Sequence, residues 1–506
     1  MQKNAIRLNE ADNVLIATEQ LMPGDRVLDV DVRGLVPAGH KVAARAIAAD
    51  TPVYRYGQVI GVANVDIEAG QHVHVHNMHM ADLHREYEFC KNTKDVPIDP
   101  ERDVFMGLRR PDGRVATRNY IGVLTTVNCS ATVARAVADH FRRDINPAAL
   151  QDYPNVDGVV ALTHTTGCGL GAHGEGIDVL RRTLTGYARH ANFHSILLIG
   201  LGCETNQISG VMASAGLQEG PLLHTYSIQD AGGTGKAVAQ GIARVKELLP
   251  QANQVKREPV SASHLVVGLQ CGGSDGYSGI TANPALGAAV DRLVRAGGTA
   301  LLSETPEIYG AEHLLIQRAV SREVGEKLVA RIEWWRDYCA RNHAEMNNNP
   351  SAGNKAGGLT TILEKSLGAV AKAGTTNLND VLCYAEPVST RGLIFMDSPG
   401  FDPVSATGQV ASGANMICFT TGRGSAYGCM PSPSLKFSTN NACWERQSDD
   451  IDLNCGTIIT GQDTVDGLGE KIYRLMLETA SGTATKSELY GYGQNEFAPW
   501  QIGATV

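Results

Sequence analysis

From about residue 120 onward, short apolar runs alternate with longer stretches of helical period, and that alternation leaves few folds open. YIGVLTTV (120–127) leads into ATVARAVADHFRRD, DGVVALTH (157–164) precedes GIDVLRRTLTGYARH, and SILLIGLG (195–202) follows. The pattern resumes with HLVVGLQ (264–270), a helical ALGAAVDRLVRAG and ALLSE (300–304), and ends with GLIFMD (392–397) and MICFTTG (416–422). A long helical stretch over 311–343 carries Trp334 and Trp335. Strands that alternate with helices predict mainly parallel sheets, here in two α/β domains. Residues 12–76 read differently, as short β segments broken by Gly and Pro, which is the texture of a small all-β module. A polar stretch after it reads as a linker, and a Lys/Glu/Gln-rich segment at 246–258 marks a second boundary. The expected division is therefore a β module at 1–81, a linker at 82–103, a middle α/β domain at 104–256 and a C-terminal α/β domain at 257–506.

A net charge of -9 leaves no basic stripe to neutralise phosphates, which argues against nucleic acid as a partner. No apolar run approaches the roughly 20 residues that cross a bilayer, so no membrane contact is expected. The N-terminal MQKNAIRLNEADNV has no apolar core of a signal peptide, and the 11 cysteines are scattered along the chain. Both features place the protein in the cytoplasm with reduced thiols.

Reactive residues gather where the strands end, and open α/β sheets bind ligands at those carboxyl ends. Cys129 follows the first strand, His164 and Cys168 the second, and Cys203 with Glu204 the third. Cys271 and Asp275 follow HLVVGLQ, Glu304 and Glu307 follow ALLS, and Arg423 follows MICFTTG. A single cysteine so placed is more often a small buried hydrophobe than a ligand, but six strands ending alike point to a shared site. His72, His74 and His76 alternate in QHVHVHN, so on a strand they share one face and can converge on a ligand or metal; a solvated edge strand is the plainer reading. Gly169, Gly171 and Gly174 match the dinucleotide fingerprint in form only. They come too late after the strand, and no acidic residue ends the next strand at the required spacing.

With these residues in view, the chain resembles the altronate/galactarate dehydratase family over almost its whole length. GHKVAARAI, YRYGQVIG and HVHVHN are similar to that family's β-clip (SAF) domain. RRPDGRVATRN, THTTGCG and IGLGCETNQ are similar to its middle domain. LQCGGSDGYSGITANPALG, SETPEIYGAE, NPSAGNKAGG and TTGRGSAYG are similar to its C-terminal domain. Ala352 and Ser425 depart from the family pattern, where Pro and Thr are usual. The resemblance implies a dehydratase acting on a sugar acid with ferrous iron or manganese. HVHVHN and the SDG of CGGSDGYSG tilt the expected substrate to D-altronate, giving 2-keto-3-deoxygluconate, with galactarate as the alternative. A nicotinamide-dependent oxidoreductase and a non-catalytic sugar-acid sensor are the readings from other classes.

Removing a C2 proton beside a carboxylate and expelling the C3 hydroxyl needs a cation to stabilise the enediolate. The candidate metal ligands are Cys168, Cys203, Glu204, Cys271 and Glu304. Arg118 and Arg423 are candidates to grip the substrate carboxylate, with Lys355 as a point charge. His40, Lys41, His74 and Asn283 complete the expected substrate contacts. His164 or His76 is the candidate base and Asp275 the candidate acid. Cys129, Cys168, Cys203 and Cys271 allow either a mononuclear ferrous site using one or two thiols, or an iron–sulfur cluster using three. The missing Cys-x-x-Cys spacing favours the mononuclear site. The expected partners are the small anionic substrate and a second copy of the chain, as a homodimer.

Overall fold

The computed structural model describes residues 2–81, 86–99 and 103–505, so the expected linker lies partly outside the described residues. No described helix is long and apolar enough to cross a membrane. The N-terminal module consists of small, mostly antiparallel sheets. One runs Ala5–Ile6, Val14–Ala17, Lys41–Ala43, His72–Val73, and another runs Met78–His79, Gln58–Ala63, Pro52–Arg55. Two small apolar clusters fill it, one around Val53, Ile60 and Val73 and one around Leu15, Val27 and Val42.

The middle domain carries a four-stranded parallel sheet in the order Gly158–Leu162, Tyr120–Thr125, Phe193–Gly200, Leu223–Ser227. The C-terminal domain carries seven parallel strands, ordered Leu378–Leu382, Gly392–Met396, Thr299–Ser303, Val266–Cys271, Met416–Thr421, Ser434–Ser438, Leu453–Asn454. Apart from part-buried Val266, its central strands are buried along their whole length, as strands covered by helices on both faces must be.

One sequence reading needs adjustment. The stretch expected as one helix over 311–343 is two, His313–Ile316 and Arg322–Arg341. The second starts where the Ser321 hydroxyl accepts a hydrogen bond from the Val324 N–H and so caps the new helix. At the boundary expected over 246–258, the helix Thr234–Ala252 runs into the segment and the strand Arg257–Ser261 emerges from it. That strand pairs antiparallel with Val104–Arg109, so the chain leaves and re-enters the C-terminal region side by side. The two α/β domains also share one apolar core, in which Leu124, Leu184 and Ile196 of the first meet Leu301, Ile394 and Phe419 of the second.

The β module docks on the C-terminal domain through one fully buried carboxylate. Glu364 accepts from Lys41 Nζ at 2.9 Å on each oxygen and from Arg55 Nη1 at 2.5 Å. The Thr360 hydroxyl and N–H add 2.6 and 2.9 Å contacts. Despite burial, the two cations beside it hold the Glu364 pKa down at about 2. Removing one member of such a group strands the others' charge, so Glu364→Ala should cost about 3–5 kcal/mol. Urea unfolding of the two proteins measures this, and a loss under about 1 kcal/mol would mean that the latch is energetically neutral.

Candidate functional site

The expected site residues fall into four places. The first is a buried cluster at the carboxyl ends of the central C-terminal strands. Cys271 ends the strand Val266–Cys271, and Glu304 and Glu307 follow Thr299–Ser303, the neighbouring strand. Their ligand atoms all lie within 4.8 Å of one another. Lys372 Nζ donates to Cys271 Sγ at 2.8 Å, and Lys365 Nζ donates to Glu307 Oε1 at 2.6 Å and to Asn349 Oδ1 at 2.9 Å. Glu304 is fully buried, sits in left-handed backbone at φ 74°, and neither carboxylate oxygen has a hydrogen-bond partner among the described residues. Strain and an orphaned carboxylate together mark a site held for something other than stability.

The same environment separates the two glutamates. Burial, reinforced by the charge of Glu307, pushes the Glu304 pKa far up. Burial acts on Glu307 too, but Lys365 and Lys372 outweigh it and hold that pKa below the ordinary value. Burial raises the Cys271 thiol to about 11 and, with Glu307, raises Asp402 to about 7. Two carboxylates driven apart in this way form an acid and a base at one pH. A thiol and two carboxylates are also the donor set of a divalent ion, and the open oxygens of Glu304 fit that role.

The second place is an open cavity of about 300 Å³ lined by Asp275, Arg423, Asn440, Arg446 and, from the β module, Thr18 and Ala38. Asp275 is buried and accepts from Ser278 Oγ, Thr439 Oγ1 and Asn440 Nδ2, each at 2.9 Å, and from the Tyr277 N–H at 3.2 Å. Burial raises its pKa, and those donors pull the other way without reversing the shift. Arg423 is exposed, and its guanidinium makes no hydrogen bond among the described residues.

The third is the histidine group, which gains a member. His72 and His74 lie 5.4 Å apart by ring centroid, His72 and His76 5.4 Å, and His40 stacks 4.9 Å from His74. Only His72–Val73 is strand. The rings converge because the chain turns at 74–77, where the Asn77 side chain accepts from the His74 N–H and donates to the His72 carbonyl. His40 Nε2 donates to the Ala356 carbonyl at 3.2 Å and its Nδ1 meets His72 Nε2 at 3.0 Å, while His74 Nε2 donates to the Lys355 carbonyl at 2.9 Å. Burial lowers His72 to about 3 and His74 to about 4, so both are neutral at pH 7. The segment 354–358 separates these rings from the Asp275 loop and bonds to both, through Asn354 Nδ2 to the Ser274 carbonyl and through the Gly276 N–H to the Gly357 carbonyl, each at 2.8 Å. Lys355 rides on that segment, half-buried.

The fourth is the end of the middle sheet, which holds Cys129, Cys168 and Cys203, all exposed. The expected ligand set is therefore split, with Cys271 and Glu304 in one domain and Cys168, Cys203 and Glu204 in the other. Glu204 is buried and spent on the Thr126 hydroxyl at 2.6 Å and the Gly202 N–H at 2.7 Å.

Four expected contacts are already engaged elsewhere. Lys41 gives all three donors to Glu364 and the Gly358 carbonyl. Arg118 spends its donors on both oxygens of Glu488 and on the carbonyls of Thr117, Thr479 and Thr483. Asn283 is buried between the Gly368 carbonyl and the Thr420 hydroxyl. His164 donates from Nε2 to the Thr125 carbonyl at 3.0 Å and accepts at Nδ1 from the Thr166 N–H at 3.3 Å. The sequence reading missed Lys365, Lys372 and Asp402. Two lysines seven residues apart within the mostly apolar stretch 362–373 are the signal that was available.

Family models match the chain in three consecutive pieces. "Altronate/galactarate dehydratase SAF domain" covers residues 3–81, "D-galactarate dehydratase/Altronate hydrolase, second domain" covers 107–253, and "D-galactarate/Altronate dehydratase, C-terminal" covers 262–505. An altronate dehydratase of Bacillus subtilis is 34% identical over 100% of both chains, and one of Escherichia coli is 36% identical over 99% of both. A galactarate dehydratase (L-threo-forming) of Escherichia coli is 39% identical over 94% of this chain and 92% of its own.

Burial lowers the His164 pKa from 6.5 to about 4. Between those values the unfolded chain takes up a proton that the folded one refuses, so this group's contribution is full above pH 6.5 and lost as pH falls through 4. His164→Gln keeps a donor for Thr125 and removes the titration. The stability gap between wild type and variant should shrink from pH 7 to pH 4, with turnover retained within about threefold, since no acid–base role of about 10²-fold is lost. Unfolding curves across pH and a rate assay check both, and a hundredfold loss of turnover would restore His164 as a base.

Proposed function

The chain belongs to the D-galactarate/altronate dehydratase family of hydro-lyases, and we propose that it dehydrates D-altronate to 2-dehydro-3-deoxy-D-gluconate. The observation that supports a dehydratase reading is the buried Cys271–Glu304–Glu307 cluster at adjacent strand ends, with Lys365 and Lys372 against it. An elimination beside a carboxylate needs a cation to stabilise the enediolate, and simple binding of a sugar acid does not.

The substrate carboxylate docks in the cavity that Arg423 and Arg446 line, where guanidinium forks match a carboxylate's two oxygens. Asp275, whose burial favours its protonated form, donates to the departing C3 hydroxyl, which leaves as water. With His164 tied to backbone on both sides, His76 remains the candidate to remove the C2 proton. It is exposed at the edge of the histidine group, one turn from the segment that borders the Asp275 loop. The enol so formed ketonises to the 2-keto acid. A divalent ion, iron(II) or manganese(II), held by Cys271, Glu304 and Glu307 would supply Lewis-acid stabilisation of the enediolate. Thiolate donors favour iron and carboxylates suit manganese, so the mixed set accommodates either.

The altronate assignment rests on HVHVHN and the Ser274-Asp275-Gly276 motif, and two full-length relatives are altronate dehydratases. Galactarate is the second reading, favoured by the 39% identity to a galactarate dehydratase. Formation of 2-keto acid should be measured over a panel of aldonates and aldarates. D-Altronate should give the highest kcat/KM; a preference for galactarate reverses the branch, and no keto acid from any member overturns the dehydratase reading.

His76→Ala and Asp275→Asn should each lower kcat by about 10²–10⁴-fold, the usual range for a general acid or base. Because His76 is exposed, its variant should unfold at the wild-type denaturant concentration. A loss below tenfold in either variant removes that residue from proton transfer.

A further inference from the structure

The middle domain presents three thiols at one edge. Its sheet places Gly158–Leu162, Tyr120–Thr125 and Phe193–Gly200 side by side and parallel, so the turns that follow them leave the sheet at the same end. Each turn carries one cysteine: Cys168, Cys129 and Cys203 in that order across the sheet. All three are exposed, whereas cysteine is ordinarily among the most buried residues, and exposed free thiols oxidise.

Buried polar groups lash the three turns together. The Asn128 N–H donates to the Thr166 carbonyl, and the Asn206 N–H to the Gly167 carbonyl. Asn206 is fully buried, and its Nδ2 donates to the Thr126 carbonyl at 3.0 Å. The Glu204 carboxylate takes the Thr126 hydroxyl and the Leu201 and Gly202 N–H groups, and Ser130 Oγ donates to the Ile199 carbonyl. Thus a buried carboxylate, amide and hydroxyl spend themselves on holding three thiol-bearing turns in register. Cys168 and Cys203 each follow a glycine at positive φ, Gly167 at 103° and Gly202 at 127°. A Cβ on Gly167 would meet the Thr126 carbonyl at 2.3 Å, so the turns approach as closely as backbone allows.

We propose that Cys129, Cys168 and Cys203 together ligate an iron–sulfur cluster. The three sulfurs do not all lie within 4.8 Å of one another, so a single ion cannot take all three as they stand. A cluster can, because each thiolate meets a different iron. Each thiol releases its proton on binding. A four-iron cluster takes four ligands, so three thiolates leave one iron open to a hydroxyl or carboxylate. The inference goes beyond the proposed reaction and is tested without turnover.

The full-length protein is purified without oxygen, reconstituted with ferrous iron and sulfide, and assayed for iron, acid-labile sulfide and visible absorbance. About four sulfide per chain are expected, with about four iron in the cluster and a fifth where the Cys271 site also takes ferrous iron. Cys168→Ser and Cys203→Ser should each reduce sulfide and absorbance at least fivefold, while Cys271→Ser keeps both. In wild type, iodoacetamide should label Cys129, Cys168 and Cys203 only after chelation of iron, which keeps the test valid if a variant folds poorly. Iron or zinc without sulfide, loss confined to Cys271→Ser, or equal labelling before and after chelation would each overturn the proposal.

Discussion

A buried carboxylate that stays ionised needs counter-charge or donors brought to it, and Glu364 receives two cations from a different module. Lys41 and Arg55 come from separate strands of the N-terminal sheets, and neither has another anion to serve among its described contacts. Because half a pair buried is far worse than none, the module docks fully or not at all. The same two cations reach past Glu364: Lys41 to the Gly358 carbonyl at 2.7 Å, and Arg55 to the Gly276 carbonyl at 2.5 Å. The segment that borders the histidines and the loop that carries Asp275 are thereby both tied to the residues that hold this carboxylate.

Much of this was legible in the sequence, for reasons that differ by residue. Periodicity revealed the β module and the two parallel sheets, since a strand covered on both faces must be apolar throughout. The strand-end rule then located Cys271, Asp275, Glu304 and Arg423 without any knowledge of distance. It could not tell which reactive side chains were already engaged. Lys41, Arg118, Asn283, Glu204 and His164 are the right residue types, and all are held by backbone or by a buried partner. Hydrogen-bond saturation is a property of the packed chain. Lys365 and Lys372 were hidden for the opposite reason: a lysine in a helix reads as surface, and only burial turns it into the counter-charge of Glu307 and Cys271.

The division of the four thiols has the same origin. Equivalent positions at the ends of parallel strands made Cys129, Cys168, Cys203 and Cys271 look like one set. Two separate sheets make them three and one. The buried member is matched to a lysine and two carboxylates, and the exposed three stand on turns at one end of the middle sheet. Side chains that read as candidate ligands, Glu204 among them, become the frame on which the exposed three are mounted.

The antiparallel pairing of Val104–Arg109 with Arg257–Ser261 brings the entrance and exit of the middle domain together. In topological terms that domain is an insertion, and cutting it out would leave ends already close enough to join. The shared core says otherwise. Leu124, Leu184 and Ile196 cover apolar surface on Leu301, Ile394 and Phe419, which excision would expose to water. The middle domain is thus a guest in connectivity and a wall in packing: its ends lie side by side, yet the surface it covers is apolar.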